Sequence, residues 1–227
     1  MDSLFEHLHG LNILNLSYTD IKSLSNSVSN LENLSTLRLG VCKFLKRVPL
    51  LAKLTKLKKL DLERTGITIV TEGLEMLDNL RYLDLNAKNL KIMPPEILPK
   101  LSRLQYLAVF SEVKWEEVAS LKNLETFEGL FFDLYEFSTY IRSLEKRRLA
   151  TYDIQVGKLL CIDFVANSLD PSHSRIWGKK LVLQNCNISR GEESFVLPKD
   201  VHDLHIYSCN NLRCLCEYVP SLTTQLN

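Results

Sequence analysis

Three kinds of side chain in this sequence could do chemistry. The first is the thiol. The chain of 227 residues has six cysteines, and two stand together as Cys214-Leu215-Cys216. That spacing could chelate a soft metal or cycle as a redox pair, with His202, His205 and Cys209 close by in sequence. Zinc sites favour C-x₂₋₄-C pairs joined by a second ligand pair, and His202 and His205 stand at ordinary strand spacing, so no metal site is expected. The second is the phosphate-gripping loop. Gly157-Lys158 lacks both the earlier glycine and the following Ser or Thr of G-x-x-x-x-G-K-[ST], and no G-x-S-x-G nucleophile elbow occurs. No catalytic residue and no cofactor are therefore assigned, and the chain is expected not to be an enzyme. The third kind makes contacts. Tyr18, Arg38, Lys59, Tyr82, Tyr106 and Phe110 form an aromatic and basic set, joined by the carboxylates Asp61, Asp84 and Glu128. Aromatic and arginine side chains are enriched where proteins meet proteins.

What positions these residues is a repeat. Leucines spaced L-x-x-L-x-L occur at Leu11, Leu14 and Leu16, then at Leu34, Leu37 and Leu39, at Leu57, Leu60 and Leu62, and at Leu80, Leu83 and Leu85. Looser copies follow at Leu104, Leu107 and Val109, and at Leu124 and Phe127. The starting points 11, 34, 57, 80, 104 and 124 are separated by 23, 23, 23, 24 and 20 residues. Such steps fall inside the period of about 20–29 residues of leucine-rich repeats. Further on, Leu149, Tyr152 and Ile154 fit positions 1, 4 and 6. Gly178, Leu181 and Leu183 fit the same positions, as do Val201, Leu204 and Ile206. Leu159 to Val165, LLCIDFV, has strand-like composition without a register.

Positions 4 and 6 point to one face of a short strand, and positions 3 and 5 to the other. One repeat cannot bury its leucines alone, but stacked copies can. The expected fold is an α/β leucine-rich repeat solenoid. It has a curved parallel sheet on the concave face and short helices, 3₁₀ turns and loops on the convex face. Ile21, Leu24, Val28 and Leu31, like Val48, Leu51 and Leu54, or Met93, Ile97 and Leu101, recur at three- and four-residue steps that suit short helical returns. Phe137 to Arg148 predicts an amphipathic helix with Phe137, Ile141 and Leu144 on its buried face. Asp170-Pro171-Ser172 reads as a loop. No linker divides the chain, so residues 1–227 are expected to form a single domain, regular over 11–110 and longer and irregular over 111–227.

The repeat assigns most of the candidates a place. Cys42, Cys186 and Cys209 fall at position 9, where a small buried Asn or Cys is expected. Position 3 holds Ile13, Thr36, Lys59, Tyr82, Tyr106, Thr126, Thr151, Lys180 and Asp203. Position 5 holds Asn15, Arg38, Asp61, Asp84, Ala108, Glu128, Asp153, Val182 and His205. These two rows vary in charge and size while the leucines hardly change. They form the expected protein-binding face, with Asp61 and Asp84 on its solvated side.

Composition narrows the class. Lys+Arg is 28 and Asp+Glu is 27, a net charge of +1. That balance argues against nucleic acid or an anionic membrane as the main partner of the whole chain. No apolar run approaches the ~20 residues of a membrane span. The start, MDSLFEHLHG, lacks a basic and then apolar leader. A cytoplasmic chain with reduced thiols is therefore expected.

Several motifs together resemble one family. They are LxLSYTxI at Leu14 to Ile21, CxxLxxVP at Cys42 to Pro49, LDLxxTGI at Leu60 to Ile67, LRYLDL at Leu80 to Leu85, LATYDIQVG at Leu149 to Gly157 and the YSCNNL run at Tyr207 to Leu212. The chain is similar to the leucine-rich repeat region of plant disease resistance proteins, of the intracellular nucleotide-binding class with an N-terminal coiled coil. Ser25 and Thr71 stand where that family usually has proline. The resemblance implies a protein partner: a pathogen effector, a guarded host protein, or an upstream nucleotide-binding domain that this chain does not contain. It also implies a C-terminal portion of a receptor, or a truncated product. A general intracellular repeat scaffold, or the substrate-binding arm of an adaptor, is the alternative.

Overall fold

The computed structural model describes residues 5–144, 148–157, 178–188 and 195–210. The predicted strand at Leu159 to Val165, the loop at Asp170 and the pair Cys214 and Cys216 lie outside the described residues. Two compact units are distinguished, Met1–Thr126 and Phe127–Asn227.

In the first unit, β1 (Ile13–Asn15), β2 (Thr36–Arg38), β3 (Lys59–Asp61), β4 (Tyr82–Asp84) and β5 (Tyr106–Val109) pair in parallel and in chain order. The register is the one the leucines set: Leu14 pairs with Leu37, Leu37 with Leu60, Leu60 with Leu83 and Leu83 with Leu107. Leu37, Leu60, Leu83 and Leu107 are fully buried. Burial of each contributes about 1.5–3 kcal/mol, so the ladder outweighs any single polar contact. The strands are three or four residues long. Each is fed by a chain of i→i+3 turns: the amide of Leu31 donates to the Val28 carbonyl and that of Leu34 to Leu31, and the pattern recurs at Leu77 and Leu80 and at Leu101 and Leu104. The short 3₁₀ helices Asn26–Asn30, Leu74–Met76 and Leu98–Lys100 and the helix α1 (Trp115–Ser120) belong to these returns. The three- and four-residue rhythm thus resolves mainly into 3₁₀ turns, which keep each return short enough to fit one repeat.

Ser25 and Thr71 earn their places without a proline ring. Ser25 caps the first 3₁₀ helix by accepting the Ser27 amide at 3.2 Å. The Thr71 hydroxyl donates to the carbonyl of Pro49 at 2.9 Å, tying one return to the one before it.

In the second unit, β6 (Thr126–Phe131), β7 (Thr151–Val156), β8 (Lys179–Gln184) and β9 (Asp203–Tyr207) follow in chain order. The predicted helix is present but displaced: α2 spans Leu134–Ser143. Its start is fixed by Asp133, whose carboxylate accepts the Glu136 amide at 2.8 Å, a side-chain cap that replaces a missing intrahelical partner. Phe137 and Tyr140 are its buried aromatics, packed at ring distances of 5.1–5.9 Å against Phe127 and Phe131. Ile141 and Leu144 are only half-buried.

The register of β7 differs from the expected one. Tyr152 pairs with Lys179, Ile154 with Leu181 and Val156 with Leu183. Ile154 and Val156, not Tyr152 and Ile154, therefore occupy positions 4 and 6, and position 1 is Thr151 rather than Leu149. A slip of two keeps every side chain on its own face, so an alternating pattern cannot detect it. Gly157 fixes the true alignment. It has φ +105, and a Cβ there would lie 1.9 Å from the Gln184 carbonyl oxygen. Its amide donates to Phe131 at 2.9 Å.

Candidate recognition surface

Parallel strands in register place equal positions of neighbouring repeats about 4.8 Å apart. On the position-3 row this spacing matches that of stacked rings. Tyr82 and Tyr106 stack with centroids 4.1 Å apart and planes 3° from parallel. Lys59 continues the pile, its Nζ 3.7 Å from the Tyr82 centroid. An aromatic pair adds about 0.5–1.5 kcal/mol beyond burial, and an exposed cation–π contact about 0.5–1 kcal/mol. The three side chains are thus held in place before any partner arrives, while remaining half-exposed. Ile13 and Thr36 extend the row through β1 and β2.

Position 5 departs from expectation. Asp61 and Asp84 are not solvated; they are 6% and 4% exposed. The cause is local. Asp61 Oδ1 accepts the amide of Glu63 at 3.3 Å, and Asp84 Oδ1 accepts that of Asn86 at 3.0 Å. Asn15 does the same for Ser17 at 3.1 Å. A short polar side chain two residues before a free N–H closes such a turn. Where position 5 is Asn or Asp, as at Asn15, Asp61 and Asp84, it therefore caps the exit of the strand, a role that Asn or Asp recurring at one repeat position could have signalled. The second oxygens remain on the face: Asp61 Oδ2 meets Arg38 Nε at 3.4 Å, and Asp84 Oδ2 accepts the Tyr82 hydroxyl at 3.4 Å.

A further carboxylate joins them. One oxygen each of Asp61, Glu63 and Asp84 lies within 4.8 Å of the others. Burial pushes Glu63 above the usual carboxylate range and Asp61 adds to this, while Arg64, with Nε 3.4 Å from Glu63, pulls the other way. The cluster is met by Arg38, Arg64, Tyr82 and two backbone amides, and together these form a polar margin beside the stacked rings.

The other candidates take separate places. Tyr18 is exposed beyond β1 with φ 63, Phe110 is half-buried just after β5, and Glu128 is half-buried on β6 in the second unit. Positive φ recurs at the same repeat position in Tyr18, Val41, Arg64, Asn185 and Ser208. With the corrected register, position 3 of the second unit is Asp153, Lys180 and Asp203, and position 5 is Gln155, Val182 and His205. Lys180 Nζ lies 3.3 Å from Asp153 Oδ2. Burial still holds Asp153 above its ordinary range despite that cation. Of the position-9 thiols, Cys42 and Cys186 are buried and donate to the carbonyls of Leu16 and Val156, whereas Cys209 is half-buried. Burial and the neighbouring Cys209 push the Cys186 thiol up to about 12.

Strands recurring at a 23-residue step, in register, with one leucine spine behind them and one varied row in front, decide the fold. The chain is built of leucine-rich repeats. The sequence matches no protein-family profile. A curated candidate disease resistance protein of Arabidopsis thaliana is 38% identical over 105 residues, covering 46% of this repeat chain and 9% of that relative. The chain therefore spans about a tenth of the length of that relative. The resemblance to the repeat region of plant disease resistance proteins stands with it. Among solved structures, an internalin C2 of Listeria monocytogenes aligns over 89% of this chain and 82% of its own at 21% identity and a TM-score of 0.42. A leucine-rich repeat protein of Leptospira interrogans aligns over 90% and 67% at 18% identity and a TM-score of 0.25. Among the described residues no helix is long and apolar enough to cross a membrane.

Proposed function

We propose that this chain is the recognition segment of a plant immune receptor, and that it binds a protein partner on the strand face of its first unit. The observation that carries this reading is the preformed Lys59–Tyr82–Tyr106 pile, flanked by the Arg38–Asp61 ion pair. A pile of rigid rings beside a partly exposed guanidinium offers large contact area at little ordering cost, the composition of an interface hot spot. The partner is a pathogen effector, a guarded host protein, or a nucleotide-binding domain elsewhere in the same receptor, which the repeats would hold inactive. No catalytic role is assigned to any residue, and the site of action is the cytoplasm.

The test uses the paired charge reversal Arg38→Glu with Lys59→Glu in the full receptor. Partner binding and the defence response in leaf tissue should fall at least tenfold, because two hot-spot contacts each contribute about 1–2 kcal/mol. The melting temperature should fall by only a few degrees, the cost of removing the Arg38 cation from beside the buried Asp61, since neither residue belongs to the leucine ladder. A collapsed melting temperature would show the pair to be structural and end the reading. An adaptor motif rather than a phosphate-loop domain upstream in the gene would favour the general scaffold instead.

A further inference from the structure

The segments that return from one strand to the next carry a second surface. Over three consecutive repeats of the first unit, the same five positions read KFLKR (43–47), GITIV (66–70) and NLKIM (89–93). They hold four cations, Lys43, Lys46, Arg47 and Lys91, and no carboxylate. All four are exposed, and none enters an ion pair among the described residues. Three large apolar side chains stand among them: Phe44, Ile69 and Ile92, at 52%, 56% and 61% exposed. These are not core residues left half-covered. The core of the same segments is filled by Leu45, Ile67, Val70, Leu90 and Met93, all buried.

The returns lie side by side. A Cβ on Gly66 would meet the carbonyl of Lys43, and the Thr71 hydroxyl reaches the carbonyls of Val48 and Pro49. Lys46 and Ile69, 23 residues apart between those two contacts, are thus neighbours, and Ile92 holds the same position one repeat on. Glu112 lies beside the patch, its backbone bridged to Ile92. It reduces the local positive charge without cancelling it.

We propose that this flank docks on the surface of an anionic phospholipid bilayer. Lys43, Lys46, Arg47 and Lys91 face the headgroup phosphates, while Phe44, Ile69 and Ile92 enter the interface. Charge complementarity and the projecting apolar side chains together select this occupant. A peptide-reading surface supplies pockets that receive the anchors of its ligand. Here the anchors project from the protein itself, interleaved with cations, the arrangement by which peripheral proteins grip acidic lipid. The net charge of +1 conceals this, because carboxylates elsewhere balance these three repeats, which have none in the five positions; the same positions of the repeats on either side hold Asp20 with Lys22, and Glu116 and Glu117 with Lys114, and bound the patch.

Co-sedimentation of the whole chain with lipid vesicles tests the proposal. Phosphatidylcholine vesicles containing phosphatidylserine should carry the protein down, pure phosphatidylcholine should not, and raised salt should release it. Each cation near such a surface raises binding about fivefold, so the triple reversal K43E/K46E/R47E should lower it by at least about a hundredfold. F44S/I69S/I92S, which leaves the charge unchanged, should lower it about tenfold or more. A control, K58E/K100E/K122E, makes the same charge change at exposed residues off the flank and should lose far less. Because all these side chains are exposed, the melting curves of the variants should superimpose. Protein left in the supernatant with both vesicle types overturns the proposal. So does an equal loss in the control, which would mean that binding merely follows overall charge. Binding to an acidic peptide such as polyglutamate without binding to vesicles would assign the flank to a protein ligand, and would likewise overturn it. None of these outcomes bears on the strand face, whose residues are untouched.

Discussion

At the scale of the residue, the informative positions are those where a polar group is buried for a local reason. The sequence places Asp84 in the variable row but not in the interior, because alternation along a strand reports only which face a side chain takes. It does not report that the same side chain can turn back to its own backbone. The buried carboxylate predicts an asymmetric mutational result. Asp84→Ala leaves the Asn86 amide and the Tyr82 hydroxyl without their acceptor, and an unsatisfied buried donor costs about 1–3 kcal/mol. Asp84→Asn keeps an oxygen for the amide and should cost clearly less. Urea denaturation of the two variants decides the matter, and equal losses would show that charge rather than the turn is at stake. Asp200 makes a different case. Burial alone would raise its pKa, but the hydrogen bond and charge of Lys179, at 2.6 Å, outweigh this and hold it below the ordinary carboxylate value of 3.8. A depressed carboxylate contributes stability above its unfolded pKa and loses it as pH falls through the folded one. Asp200→Asn should therefore be less stable than the native chain at neutral pH, and the gap should close on acidification below about pH 4. A gap that stays constant with pH would assign the loss to packing.

At the scale of the element, the leucine spacing of the first unit carried nearly everything: five strands, their order and their pairing follow from one offset repeated at 23 or 24 residues. Two features of the second unit were hidden for physical reasons. The two-residue slip of β7 preserves parity, so hydrophobic alternation cannot see it. The start of α2 is set by the cap at Asp133 rather than by the apolar stripe, which pointed to Ile141 and Leu144 instead of Tyr140. Gly157 held the missing information, because only a residue without a side chain fits φ +105 against the Gln184 carbonyl. Gly157→Ala should destabilise the second unit by at least about 2 kcal/mol, visible as a lowered melting temperature. Tolerance of that change would mean that β7 and β8 are aligned some other way. Ladder residues separate in the same manner. Leu60→Ala, fully buried, should cost about 2–5 kcal/mol, whereas Leu204, 37% exposed on β9, should cost well under half as much when truncated.

At the scale of the whole molecule, a repeat chain divides its surfaces by position number rather than by region. The spine holds positions 4 and 6, the strand face positions 3 and 5, and the returning flank positions 10 to 14. A change confined to one set can leave the others standing. Such a chain also distributes its stability, because each rung touches only the rungs on either side. Leu37 pairs directly with Leu60, while two strands, β3 and β4, separate Leu37 from Leu107. Replacing each leucine by valine removes about one methylene and costs about 1 kcal/mol, mild enough for double variants to stay folded. L37V/L60V should depart from the sum of its single changes by about 0.5 kcal/mol or more, since the two side chains share one contact and one local cavity. L37V/L107V should add within about 0.3–0.5 kcal/mol, the usual result for sites without common neighbours. Equilibrium unfolding of the three single and two double variants measures both couplings. Equal couplings would mean that the leucines act as one undivided core, and the position-by-position separation of spine, face and flank would lose its physical basis.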